Sequence, residues 1–217
     1  MAREALRRAV AEQTGRVAIT SFASNVARVQ SACEAARAND RSVCLVGRSM
    51  FRIVGAAQSV GLLKGFEFIS PEDAADLPGH HVLYLCTGSQ GEPNAALARI
   101  ARGDHPSVKL GADDTVIFSS RVIPGNERAI GEIQNTLAER NIKLVTARQF
   151  DIHVSGHPCR DELRRMYMWA RPQFAVPVHG ERRHIMEHAR YAKSLQVPQA
   201  ITPDNGQVIR LAPGPVE

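Results

Sequence analysis

The sequence contains no run of eighteen apolar residues, so no segment is long enough to cross a bilayer as a helix. Its N-terminal stretch, M-A-R-E-A-L-R-R-A-V-A-E, lacks the apolar core of a secretory signal. Cysteine is scarce: four residues, Cys33, Cys44, Cys86 and Cys159, with no C-x-x-C spacing among them. They lie in apolar or helical stretches and read as reduced, mostly buried thiols of a cytoplasmic protein. There is no internal repeat and no low-complexity tract, which sets aside solenoids and extended linkers. There is no Walker A loop and no G-x-G-x-x-G. A Rossmann-type small-molecule enzyme would need such a cofactor loop. The histidine pair spaced i, i+4 on an expected helix, His184 and His188, stands in H-I-M-E-H and not in the H-E-x-x-H of metalloproteases. Surface or packing roles suit that pair better than zinc.

The chain has 217 residues, 44% of them hydrophobic and 23% charged, enough for one large domain or two small ones with a sizeable core. Its formal charge is +5, and Arg dominates the basic set. That balance is compatible with a polyanionic partner without requiring one. Helix-spaced and continuous apolar stretches alternate along the chain. Helices are expected over 2–13, 25–38, 50–61, 94–102, 127–139, 160–170 and 181–195. Strands are expected over 16–19, 42–46, 81–86, 115–119, 143–146, 150–154 and 174–178, with a shorter one near 67–69. Strands that are apolar on both sides and alternate with helices predict a doubly wound parallel α/β sheet covered on both faces. The tail A-P-G-P-V-E reads as a loose end or the start of a linker.

Successive strand ends carry small, polar or Gly-rich loops: T-S-F-A-S-N at 20–25, G-R-S at 47–49 and T-G-S-Q-G-E at 87–92. Small residues let backbone N–H groups approach a ligand, and a following helix N-terminus favours an anion. Each loop alone also reads as ordinary turn and cap chemistry. Together on one edge they point to a polyanion groove. Two histidines close expected strands: His157 after V-S-G and His179 after P-V. The expected strand–helix–strand crossover over 150–178 is parallel, which would put both on one sheet edge. His157 could donate to a phosphate oxygen or act as an acid, or it could cap the next helix. His179 could ligate a metal or simply sit in a turn. His153 reads as a strand residue.

V-S-G-H at 154–157 and P-V-H-G-E at 177–181 resemble the last two signatures of the metallo-β-lactamase/β-CASP nucleases. T-S-F-A-S-N, G-R-S-M at 47–50, C-T-G-S-Q-G-E-P at 86–93 and I-P-G-N-E at 123–127 extend the resemblance, in the family's order, from about residue 15 to 195. The wording is most similar to the ribonuclease J branch. The resemblance implies that residues 1–147 form a Rossmann-like β-CASP domain that clamps single-stranded RNA. Residues 148–217 would then be an α/β segment from the C-terminal part of the metallo-β-lactamase domain. It implies that His157 contacts the scissile phosphate and assists the leaving group, and that His179 completes a two-zinc centre. It implies that Ser155, Gly156 and His157, with Ser21, Ser24 and Asn25 of the first loop and Ser89 and Gln90 of the third, hold an RNA phosphate. The chemistry implied is zinc-assisted phosphodiester hydrolysis, internal and from the 5′ end, on 5′-monophosphorylated RNA, by a homo-oligomer.

The sequence departs from the family in one respect. None of its eight histidines stands in a His-x-His-x-Asp-His signature, and the family's Asp-Ser-Thr segment is absent. The chain thus resembles an internal piece of such a nuclease. By itself it is expected to hold no catalytic zinc and to cleave no RNA, which keeps open a purely RNA-binding or assembly role. Apolar surface around 174–178 is expected to be exposed and to favour self-association.

Overall fold

Strands with apolar residues at every position need cover on both faces, and the chain supplies it with helices on alternate sides. The computed structural model describes residues 2–154 and 156–214, which form two compact units divided after Val154. The first unit runs α1 (Ala2–Ala11), β1 (Val17–Thr20), α2 (Val26–Arg37), β2 (Ser42–Val46), α3 (Arg48–Ser59), β3 (Phe68–Ile69), α4 (Pro71–Asp76), β4 (Val82–Cys86), α5 (Ala96–Arg102), β5 (Thr115–Phe118), α6 (Glu127–Glu139) and β6 (Lys143–Val145).

The six strands form one sheet in the order β3-β2-β4-β1-β5-β6, and every pairing is parallel. Alternate strand residues go to opposite layers. Val17, Ile19, Leu45, Leu83, Leu85 and Ile117 pack with Leu6 and Val10 of α1, Val29 of α2 and Met50 of α3. Ala18, Val46, Tyr84, Val116 and Phe118 pack with Ala74 of α4, Leu97 and Ile100 of α5, and Ile130 and Leu137 of α6. Helices α1–α3 therefore cover one face and α4–α6 the other, the doubly wound arrangement that the alternation predicts. Each fully buried Leu or Ile in these layers contributes about 1.5–3 kcal/mol.

Local chemistry fixes the element ends. Helix α4 starts at a capping box, in which Ser70 Oγ accepts from Asp73 N–H at 3.0 Å and Asp73 Oδ2 accepts from Ser70 N–H at 3.3 Å, with Pro71 at the first helical position. At the opposite end of the sheet from the loops of interest, Arg41 is buried and donates to the carbonyls of Gln13, Gly15 and Val82. Cys33, Cys44 and Cys86 are buried, and burial pushes their thiols up to about 12, about 11 and about 12. Cys159 is free and exposed, the exception to the expected burial.

The second unit contains α7 (Arg160–Ala170), β7 (Phe174–Ala175), α8 (Arg182–Ser194) and β8 (Gln199–Ala200). Strands β7 and β8 pair in parallel. Ala175, Ala192 and Val197 form a small core against Tyr167 and Ala200. Helix α7 has no fully buried side chain, Leu163 and Tyr167 being half-buried, and Met166, Met168 and Trp169 stand exposed. Apolar exposure is thus greater on α7 than over 174–178, where Ala175 and Pro177 are buried and Val178 is exposed.

The expectations for 150–178 are corrected. Residues 150–154 are not a strand, and His153 is not a strand residue. The carbonyl of Ile152 accepts from Arg28 Nη1 and from Ser119 Oγ, so side chains satisfy it in place of a sheet ladder. The predicted parallel crossover from 150–154 to β7 is therefore absent, and β7 pairs with β8 instead. Strand β7 is also shorter than expected, ending at Ala175. Pro177 has no N–H to donate to a ladder, and that explains the early stop.

Candidate nucleic-acid interface

In a parallel sheet all C-terminal strand ends share one edge. Strands β2, β4 and β1 are consecutive neighbours, so the loops 47–49, 87–92 and 21–25 lie side by side along that edge. The chain leaves β1 and β2 toward the α1–α3 layer and leaves β4 and β5 toward the other. The crevices of an open α/β sheet form where neighbouring strands feed opposite layers, here between β2 and β4 and on both sides of β1.

Within the first loop Ser21 is buried, and its Oγ has no hydrogen-bond partner among the described residues. Ser24 is exposed. Asn25 caps α2, its Oδ1 accepting from Arg28 N–H at 3.1 Å. In the third loop Ser89 and Gln90 are buried. Gln90 Nε2 donates to the Arg121 carbonyl at 2.9 Å, and Gln90 Oε1 accepts from Ile123 N–H at 3.0 Å and Asn126 Nδ2 at 3.3 Å. Gln90 thereby staples the loop after β4 to the loop after β5. This structural role has no signature in the local sequence, because its partners lie more than thirty positions away.

Sequence reasoning missed Arg28. The residue is 7% exposed, and its guanidinium donates to Ser119 Oγ at 2.9 Å and to the Ile152 carbonyl. Ser119 Oγ donates in turn to the Ile152 carbonyl at 2.9 Å. Burial lowers the pKa of Arg28. One helical residue thus ties α2 to the end of β5 and to the segment leading out of the first unit. The only sequence signal was a basic residue on the otherwise apolar face of α2.

His153 is half-buried in the first unit. Burial first, then the charges of Arg28 and Arg121, hold its imidazole below the ordinary value. The neutral ring is the native form, and the unfolded chain takes up the proton at higher pH. The penalty is absent above the unfolded value of about 6.5 and grows as pH falls through it toward the lower folded value. His153→Gln is therefore expected to flatten the fall of Tm between about pH 7 and pH 5. An unchanged fall would exclude His153 as its source and make His105, whose pKa is also lowered by burial and by Arg99, the next residue to replace.

The remaining candidates belong to the second unit. Ser155 lies outside the described residues. Gly156 and His157 are exposed at a bend. The cap of α7 is Cys159, whose N–H donates to Glu162 Oε2 at 2.8 Å, so His157 is not the helix cap. His179 is exposed with φ at +62°, a left-handed conformation uncommon for a residue with a side chain. His184 Nδ1 accepts from Glu181 N–H at 3.3 Å, and His188 Nε2 lies 2.9 Å from Tyr167 OH. The H-I-M-E-H pair is thus engaged in local structure.

The first unit is a doubly wound parallel α/β module with small, polar loops along one sheet edge. The sequence profile of the ribonuclease J β-CASP domain matches residues 14–137, more than half of the chain. A second, described as the zinc-dependent metallo-hydrolase RNA specificity domain, matches residues 143–201. Ribonuclease J of Sinorhizobium meliloti is 47% identical over 99% of the chain and 38% of its own length. Ribonuclease J of Corynebacterium glutamicum is 41% identical over 96% of the chain and 30% of its own length, and that of Synechocystis 38% identical over 95% and 33%. The chain belongs to the ribonuclease J family, within the zinc-dependent metallo-hydrolases. It spans about a third of the length of these relatives.

Membership implies zinc, and the donor set can be tested. Among the described residues no group of three or more His, Cys, Asp or Glu side chains is placed to hold a metal ion. The residues described do not make a zinc centre by themselves, since zinc takes three or four protein ligands. No helix among them is long and apolar enough to cross a membrane.

Proposed function

We propose that this chain is the RNA-holding region of a ribonuclease J-type nuclease, a cytoplasmic, homo-oligomeric, zinc-dependent enzyme that cleaves RNA internally and from a 5′-monophosphorylated end. The adjacency of the loops after β2, β4 and β1 on one sheet edge carries the reading. Three neighbouring polar loops suit a phosphodiester strand, whose charges recur at regular intervals. In this reading residues 1–147 clamp the strand and residues 148–217 belong to the hydrolase domain. Ser24 and Asn25 face the RNA phosphates, with Ser21, Ser89 and Gln90 shaping the loops that hold them. Ser155, Gly156 and His157 receive the phosphate, and His157 protonates the leaving oxygen. His179 contributes a single imidazole to a metal site that the described residues do not complete. The left-handed backbone at His179 supports a functional constraint there, since such conformations gather at functional sites.

The chain alone is accordingly expected to bind single-stranded RNA, to retain no stoichiometric zinc after dialysis and to leave the RNA intact. Binding to 5′-monophosphorylated and 5′-hydroxyl oligoribonucleotides, with metal content and hydrolysis on the same sample, tests this. Preference for the monophosphorylated strand without cleavage supports it. No binding at low salt would overturn the RNA-holding role. Cleavage with about two retained zinc ions would overturn the inactivity of the chain and demand a ligand set not yet seen.

A further inference from the structure

Adjoining the third loop, whose Ser89 lines it, the C-terminal ends of β5 and β6 border a cleft of about 740 Å³ within the first unit. Its size falls within the ~300–1,000 Å³ of small-ligand clefts. Phe118 and Ile130 line it with apolar surface, and Gln134 of α6 adds an amide. Arg121, from the loop after β5, and Arg148, from the turn after β6, also line it and are exposed. Among the described residues neither guanidinium forms an ion pair.

Both arginines sit on braced backbone. Gln90 holds the Arg121 carbonyl and the Ile123 N–H. Gln149 Oε1 accepts from Thr146 N–H at 2.7 Å and Thr146 Oγ1 at 3.1 Å, closing the turn that carries Arg148. The remaining charge on the wall is Glu127, whose Oε2 accepts from Gly125 N–H at 2.7 Å. Its carboxylate repels a phosphate from the α6 side and leaves the arginine side for it. Guanidinium groups match phosphate oxygens in charge and geometry.

We infer that this cleft is a ribonucleotide subsite, taking a phosphate on Arg121 and Arg148 and a base or ribose against Phe118, Ile130 and Gln134. The inference rests on the RNA-holding reading and extends it to a place on the surface. The nucleotide could belong to a bound strand or be a free nucleoside monophosphate, and both present the same chemistry.

The test uses the purified chain and a short single-stranded RNA with a 3′ fluorophore, followed by anisotropy across a salt series. Arg121→Ala/Arg148→Ala is expected to weaken binding about tenfold or more and to flatten the log–log salt slope by about 1.4, two single-strand phosphate contacts at ~0.7 each. Arg121→Lys/Arg148→Lys should fall between the two, because the charge remains and the fork is lost. Arg3→Ala/Arg7→Ala removes the same charge from α1, where Arg3 pairs with Glu34 and Arg7 with Glu4, and should change affinity less than about twofold. Adenosine monophosphate is then titrated in as competitor. Competition assigns the cleft to a single nucleotide; arginine-dependent RNA binding without competition assigns it to the strand. Equal affinity of the wild-type chain and the Arg121/Arg148 double variant, or an equal loss in the α1 control, overturns the subsite while RNA binding itself stands. If the wild-type chain binds no RNA, the broader reading fails. Direct titration with adenosine monophosphate then decides the cleft alone, with binding lost in the double variant supporting it and no binding overturning it. Thermal melts of each variant show whether a loss comes from unfolding.

Discussion

Gly91→Ala is expected to lower stability by about 3–4 kcal/mol, and with it the loop that follows β4. Gly91 has φ at +83°, and a Cβ there would lie 2.6 Å from the Cβ of Ala129 and 2.9 Å from the backbone nitrogen of Ile130. The conformational cost alone is about 1–2 kcal/mol. The larger part comes from the close approach to α6, whose backbone cannot step aside cheaply. A loop pushed outward also pulls Gln90 from Arg121, Ile123 and Asn126. RNA affinity should therefore fall together with Tm. Gly125 supplies the comparison: φ is +99°, but a Cβ would meet nothing within 4 Å. Gly125→Ala should cost only the conformational part, about 1–2 kcal/mol. Equal melting temperatures for the two variants would show that packing against α6 does not matter.

Arg28→Ala is expected to cost about 2–4 kcal/mol, or roughly 4–16 °C in Tm for a unit of this size. The variant removes a charged donor from Ser119 Oγ and the Ile152 carbonyl and leaves a void beneath β5. Arg28→Lys keeps the charge but not the planar fork, so only part of the loss should return. Arg28→Met fills most of the volume without the buried charge and separates packing from hydrogen bonding. The local signature is faster amide exchange over 150–154, the segment whose carbonyl Arg28 holds. A Tm within about 2 °C of wild type would show that the buried guanidinium contributes little beyond replacing its own desolvation.

Both predictions concern residues that support the loops of the site, and this bears on how much the sequence disclosed. The family signatures were legible because they are short and local: V-S-G-H, P-V-H-G-E and T-G-S-Q-G-E each occupy one turn. The loops' placement on one edge was legible too, because parallel strands leave no other arrangement. The brace behind them was not. Gln90 and Arg28 look like ordinary polar residues until partners from distant positions arrive.

The strands over 42–46, 82–86 and 115–118, apolar on both sides, determined by themselves that the sheet is parallel and covered on both faces. Any other exposure would put rows of Val, Leu and Ile in water. Helix period determined the rough bounds of the longer helices for the same local reason. The strand order β3-β2-β4-β1-β5-β6 was decided only by tertiary structure, since each strand is apolar enough to occupy several positions. The state of residues 150–154 was also decided there. Their composition suits a strand, but the Ile152 carbonyl is held by Arg28 and Ser119, and a carbonyl bound by side chains no longer needs a neighbouring strand. The meeting of Arg121 and Arg148 across one cleft belongs to the same class, for it depends on β5 and β6 being neighbours in register.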